Sequence, residues 1–294
     1  MEINRRRAPS TEISKKKKND GHQNEIDVVN LIGGQVIKGT QKGDLKDKNG
    51  NVFSIKSGKK WQILLYSYKR ISNTKYLKIL KPCLDSFTEI YNDFLLDRTK
   101  CIAYKENYLK QHGKIKTKLL SNELLNEILG NNTYVDAKRN LAKATPDVID
   151  KLKDKNYLNK FLGEAIFNNE EVSFLIIKDS TYKKDNSHNI FSKEDVLETL
   201  CREITPAISK AGNVPQDYNV SGQKTLLRYM KKNGGTKNIA EIEVRTDSVS
   251  KYRSIRFNMY SRDVLYLLLE RNNNLSSKEI NKNVIAYGSA IKCF

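Results

Sequence analysis

The segment from residue 21 to 57 constrains the fold more than any other, because its hydrophobic period changes abruptly at a pair of glycines. In residues 21–32 (GHQNEIDVVNLI), Ile26, Val29, Leu31 and Ile32, with Val28 beside them, form the stripe of a short amphipathic helix. Gly33-Gly34 ends that helix, since glycine takes the left-handed C-cap conformation without a Cβ penalty. Gln35–Lys38 reads as a short strand and Gly39–Gly43 as a bend. Asn49-Gly50 is a tight-turn signal, and Val52–Lys56 after it alternates as a strand does. The segment therefore commits to a helix that can pack on a small sheet made by the strands following it.

The rest of the chain is less sharply punctuated. Trp61 to about Gly163 is mostly of helical period, and TKLLSNELLNEILG (117–130) carries an apolar stripe ending in glycine. Val172–Lys178 is a buried-strand candidate, and Ser192-Lys-Glu-Asp195 reads as a capped helix start. Pro206–Asn219 reads as loop. Ile239–Arg245 and Arg253–Met259 alternate with period two and fit a hairpin, and Val264–Leu269 resembles the start of a buried helix. Trp61, Tyr66 and Tyr68 at helical spacing fill a core better than they stack on bases. No repeat or low-complexity linker divides the chain. The expectation is one α/β (α+β) domain over residues 21–294, a central mixed sheet flanked by helices. Residues 1–20, with Arg5–Arg7 and Lys15–Lys18, read as a flexible basic arm before it.

Lys and Arg number 53 against 34 Asp and Glu, a formal charge of +19. Such a field attracts polyanions, and nucleic acid is the partner expected. No run approaches ~20 consecutive apolar residues, no lipidation motif is present, and the N-terminus lacks the apolar region of a secretory signal, so no membrane partner is expected. Cys83, Cys101, Cys201 and Cys293 form no CxxC pair, which excludes a zinc ribbon and points to a reducing cytoplasm. His22, His112 and His188 have no zinc-ligand spacing. GxxxxGK[ST] and GxSxG are absent, so neither a nucleotide cofactor nor a serine hydrolase is indicated.

The chemistry-bearing residues lie in the segment already singled out. Glu25 is on the helix, Asp44 just after the glycine bend, and Ser54 and Lys56 share one face of the strand after the turn. A hairpin through Asn49-Gly50 brings Asp44 toward that face. Phosphodiester hydrolysis needs such parts: a carboxylate for a hard cation, and a lysine to orient water and stabilise charge on the phosphorus. Asp47 is a rival for Asp44, which is preferred because Gly43 permits a tight bend before it.

Helix-borne Glu25, then Asp44, then Ser54-Ile-Lys56, with the Gly21-x-x-x-Glu25 lead-in, resembles the PD-(D/E)XK nuclease superfamily of type II restriction endonucleases and junction resolvases. The resemblance implies a restriction-endonuclease-like core from about 21–80 plus 170–205, with helical and β-hairpin additions. It implies a Mg²⁺-dependent, site-specific cleavage of double-stranded DNA by a homodimer. Asp44, Glu25 and the Ile55 carbonyl would be metal ligands, Lys56 would position the nucleophile, and Ser54 stands where the family carries a second carboxylate. A non-catalytic nucleic-acid-binding protein and a structure-specific resolvase are the alternatives.

For DNA contacts, Lys42 next to the bend, and Lys59 and Lys60 around Gly58, are candidates for phosphates. Region 213–260 is the candidate for base recognition through Gln223, Lys224, Arg245, Lys251, Arg253 and Arg256, since a two-stranded ribbon fits the major groove. Arg228 extends that set. The alternative is a surface hairpin whose arginines balance Glu241 and Glu243.

Overall fold

A helix-ending glycine pair and the turn after it organise the first unit of the computed structural model, which describes residues 11–37, 42–99, 133–209, 224–245, 252–272 and 275–294. Helix α1 (Thr11–Ile32) is closed by Gly33, whose N–H donates to the Val29 carbonyl at 2.8 Å. Gly34 follows at φ +109°, and a Cβ there would lie 2.5 Å from the Lys46 carbonyl oxygen, so no other residue fits. The chain then forms β1 (Gln35–Val36), β2 (Leu45–Lys46) and β3 (Val52–Lys56), each antiparallel to the one before. Because α1 begins at Thr11, Lys15–Lys18 belong to a helix instead of the expected arm; residues 1–10, with Arg5–Arg7, lie outside the described residues.

Where one domain is expected from sequence, the chain divides into two compact units. The first takes residues up to Trp61, Phe167–Thr199 and Ser261–Phe294. Its sheet adds β5 (Phe174–Lys178), β6 (His188–Ser192), β11 (Ser277–Asn281) and β12 (Val284–Tyr287), in the order β1-β2-β3-β5-β6-β12-β11. Strand β5 lies parallel to β3 and antiparallel to β6, so the sheet is mixed as expected. Val28 of α1 packs with Leu45, Phe53, Phe174, Ile176, Ile190, Val284 and Ala286 on one face. The rings of Phe53 and Phe174 stack with centroids 5.0 Å apart. Each of these valine, leucine, isoleucine and phenylalanine side chains, when fully buried, is worth about 1.5–3 kcal/mol of transfer free energy. Ser192 caps helix α7 (Lys193–Glu203): its Oγ accepts the Asp195 N–H at 3.1 Å, the capping arrangement read from the sequence. Helix α8 (Ser261–Glu270) buries Val264, Leu265, Leu267 and Leu268, as the apolar run predicts.

The second unit takes Gln62–Ile166 and Leu200–Tyr260. It holds helices α2 (Tyr68–Ser72), α3 (Lys81–Asp85), α4 (Thr88–Leu96), α5 (Thr133–Lys153) and most of α6 (Lys155–Phe167). Its five-stranded sheet has the order β4 (Lys60–Ser67), β10 (Ser254–Tyr260), β9 (Thr236–Val244), β8 (Lys224–Met230), β7 (Ile204–Ile208). The predicted hairpin is present as β9 and β10, with Ile255 opposite Val244. Two readings are corrected. Lys60–Ser67 is strand β4 and not helix; Trp61 and Ile63 are buried while Gln62 between them is exposed, a period of two that a helical reading overlooks. Ile204–Ile208, expected as loop from Pro206, is strand β7, and its proline is tolerated because β7 is an edge strand. The helix expected at 117–130 lies outside the described residues. Among the described residues no helix is long and apolar enough to cross a membrane.

Candidate active site

Asp44 owes its position to β2 and to the approach of Gly43 to β3. A Cβ on Gly43 would lie 2.3 Å from Val52 Cγ1, so only glycine lets the chain pass this close. The Asp44 N–H donates to the Phe53 carbonyl at 2.8 Å and its own carbonyl accepts the Ile37 N–H at 3.0 Å. On β3, Phe53 and Ile55 pack toward the α1 core, so Ser54 and Lys56 take the other face. Ser54 is fully buried.

These elements converge on one carboxylate oxygen. Asp44 Oδ2 accepts the Ile55 N–H at 2.6 Å, the Ser54 hydroxyl at 3.1 Å and Lys56 Nζ at 3.3 Å. The ammonium also donates to Ser54 Oγ at 2.5 Å and to the Ile55 carbonyl at 3.2 Å. Lys56 and Asp44 are 17% and 23% exposed, so the pair is largely sheltered yet open to solvent on one side. Residues 44, 54, 55 and 56 therefore come together as the spacing predicts. Asp47 does not compete: Oδ1 takes the N–H groups of Asn49 and Asn51, and Oδ2 the Asn51 amide, so it is spent on the turn.

Glu25 is not brought into this group. Its carboxylate pairs with His22 Nδ1 at 3.0 Å, and no hydrogen bond joins it to Asp44 or Lys56 among the described residues. Helix α1 reaches β3 through the neighbouring Asn24, whose amide donates to Ser57 Oγ and accepts Lys178 Nζ. The helix lies against the face of Phe53 and Ile55, whereas Ser54 and Lys56 alternate to the opposite one.

The donor set suits a hard cation. Among the described residues every hydrogen bond to the Asp44 carboxylate ends on Oδ2, which leaves Oδ1 available, and the Ile55 carbonyl and Ser54 hydroxyl add neutral oxygens. Among the described residues no three His, Cys, Asp or Glu side chains cluster as a metal site, so a dedicated protein cage is not present. Mg²⁺ commonly needs none: it keeps waters and takes one or two carboxylates plus substrate phosphate. The Lys56 ammonium now sits among the oxygens such an ion would use, and neutralises the single carboxylate.

The loop before Asp44 is held by a residue that sequence reading missed. Glu171 Oε1 accepts the N–H of Lys42 at 2.8 Å and of Gly43 at 3.4 Å. Its partner is more than a hundred positions away, and no local motif signals it.

The expected DNA contacts fall into three groups. Lys59 and Lys60 are exposed directly after the site, and the Gly58 carbonyl accepts the Ser261 hydroxyl. In the second unit, Lys224 and Arg256 both pair with Glu243, and Lys224 also reaches Glu241 at 3.3 Å. Burial alone would lower the Lys224 pKa, but its bond to Glu243 and the charges of both glutamates raise it. The Arg253 guanidinium stacks on Tyr68, 3.6 Å from the ring centroid, and faces Tyr91 at 5.2 Å. Arg228 donates to Asn238 at 2.9 Å, and the Arg245 N–H to the Ser254 carbonyl at 2.9 Å. Of these cations, Lys224 and Arg256 are balanced by the glutamates of the sheet. Gln223 and Lys251 lie outside the described residues.

Comparison of the chain with protein-family models, with curated proteins and with solved structures finds no match.

Proposed function

We propose that the protein is a Mg²⁺-dependent endonuclease acting on double-stranded DNA, most similar in its site to a type II restriction enzyme that works as a homodimer in the cytoplasm. The observation that carries this reading is the joining of Asp44, Ser54, the Ile55 carbonyl and Lys56 through bonds of 2.5–3.3 Å. The charge of +19 supplies the attraction for a polyanion.

Asp44 Oδ1 and the Ile55 carbonyl would hold the metal, with Ser54 contributing at most through a water. When bound, Mg²⁺ supplies neutralisation of phosphate charge and a lowered pKa for its water. Lys56 then turns its donors from Asp44 and Ile55 to the scissile phosphate, and orients water for in-line attack. Lys59 and Lys60 hold the adjacent backbone phosphates.

One observation favours a second reading. Ser54 in place of a carboxylate, with Lys56 cancelling the charge of Asp44, leaves the site electrically neutral, as in a nucleic-acid-binding module without hydrolysis. Incubation of long duplex DNA with the protein decides between them. Discrete fragments formed with Mg²⁺ and abolished by EDTA support the endonuclease. Retardation on a gel without cleavage supports the binding module, and cutting confined to four-way junctions reassigns the activity to a resolvase.

A further inference from the structure

We infer that Glu171 is a positioning residue for this site, holding Asp44 in place from the turn before β5; the inference rests on the endonuclease reading. Asp44 lies at the end of a segment whose amides are all engaged. The Lys42 and Gly43 N–H groups donate to Glu171 Oε1 at 2.8 and 3.4 Å, and the Asp44 N–H to the Phe53 carbonyl at 2.8 Å. Glu171 is itself braced: its Oε2 accepts the Asn168 side-chain amide, and its N–H donates to the Asn168 carbonyl at 3.3 Å. Asn168 and Asn169 adopt φ of +49° and +58°, the left-handed conformation that turns the chain toward β5. Two residues on, the Ser173 N–H donates to the Val52 carbonyl at 2.8 Å, which fixes this turn to the start of β3. The carboxylate therefore links the strand that carries Ser54 and Lys56 to the peptides that precede Asp44.

The chemistry explains why an acid stands here. A carboxylate accepting backbone N–H groups forms charge-assisted bonds, roughly twice as strong as neutral ones. Orientation matters at this point, since a displacement of about 1 Å in a catalytic group can cost a hundredfold in rate. Glu171 touches neither substrate nor metal in this scheme; it acts through the backbone of residues 42 and 43.

The test compares Glu171→Ala and Glu171→Gln with wild type by amide hydrogen exchange, DNA binding in EDTA, and cleavage kinetics. Glu171→Ala is expected to speed exchange at Lys42 and Gly43 and to lower kcat by roughly ten- to a hundredfold. KM and DNA affinity should stay within about twofold, because a positioning residue contributes no uniform binding. Glu171→Gln keeps an acceptor oxygen without the charge, and should recover part of the rate. Asn168→Ala, which loosens the brace alone, should show a weaker form of the same split if Glu171→Ala does not fold. Unchanged kcat in Glu171→Ala overturns the inference, as does a loss that Glu171→Gln fails to relieve. If wild type cleaves no DNA, the endonuclease reading fails by itself. The inference is then decided by exchange, and unaltered protection at Lys42 and Gly43 overturns it.

Discussion

Replacing Lys56 by Met separates two roles that one ammonium plays. Met keeps the length of the side chain and removes three donors, to Asp44, Ser54 and the Ile55 carbonyl. The pair is largely sheltered, at 17% and 23% exposed, so losing it should cost more than losing a surface bridge, about 1–3 kcal/mol, and lower Tm by several degrees. The effect on cations has the opposite sign. Unit charges about 4 Å apart interact by about 4 kcal/mol at an effective dielectric near 20. Solvent on the open side cuts this to about 1–2 kcal/mol, a factor of roughly 5–30. Lys56→Met should therefore bind Mn²⁺ roughly 5–30 times more tightly than wild type in the absence of DNA. Its cleavage should fall by about a hundredfold or more, since the donor that stabilises the phosphorane is gone. Isothermal titration with Mn²⁺ on DNA-free protein reads the first effect, and single-turnover cleavage the second. Equal or weaker Mn²⁺ binding by the variant would refute the claim that the ammonium occupies the cation's oxygens.

Three further outcomes follow from the same geometry. Gly43→Ala places a Cβ 2.3 Å from Val52 Cγ1, and overpacking against a stiff valine should cost about 1–3 kcal/mol in urea unfolding; Val52→Ala in the same chain should restore part of it. Ser54→Asp sets a second carboxylate beside Asp44, and should lower the Mg²⁺ concentration for half-maximal cleavage while reducing metal-free stability, both readable by titration. His188 is buried on β6 with neither ring nitrogen hydrogen-bonded among the described residues, and burial first, then Lys178, depress its pKa, with Asp27 opposing them. The unfolded chain takes up this proton near pH ~6.5, before the folded one does, so stability should fall as pH drops below about 6.5. His188→Leu should flatten that limb, by at most about 1.4 kcal/mol per pH unit, in denaturation followed from pH 7 to 5.

Local chemistry was legible in the sequence where a few adjacent residues decide the outcome. Gly33-Gly34 and Asn49-Gly50 each act within one turn, and the alternation of Val52–Lys56 places Ser54 and Lys56 on one face whatever surrounds them. The spacing of Asp44 from that strand is short enough for a hairpin to close, which is why those residues meet. Whether Glu25 joins the hydrogen-bonded group was not legible, because its approach depends on which face of the sheet α1 covers, and that is settled by the packing of Val28 with Phe53 and Phe174. Glu171 was invisible because it reaches Lys42 only after β5 has paired with β3. Of the second sheet only the β9–β10 hairpin was legible; β4 was missed because it pairs with β10, far along the chain, and its short period-two pattern sits in a run otherwise of helical period.

The central claim is tested most directly by incubating duplex DNA with wild type and with Asp44→Ala, each in Mg²⁺ and in EDTA, while binding is followed on the same samples. The account expects discrete fragments from wild type in Mg²⁺ alone, and none from Asp44→Ala, which should still bind DNA with the wild-type salt dependence. Intact DNA in every lane, or cleavage by Asp44→Ala at the wild-type rate, would contradict it.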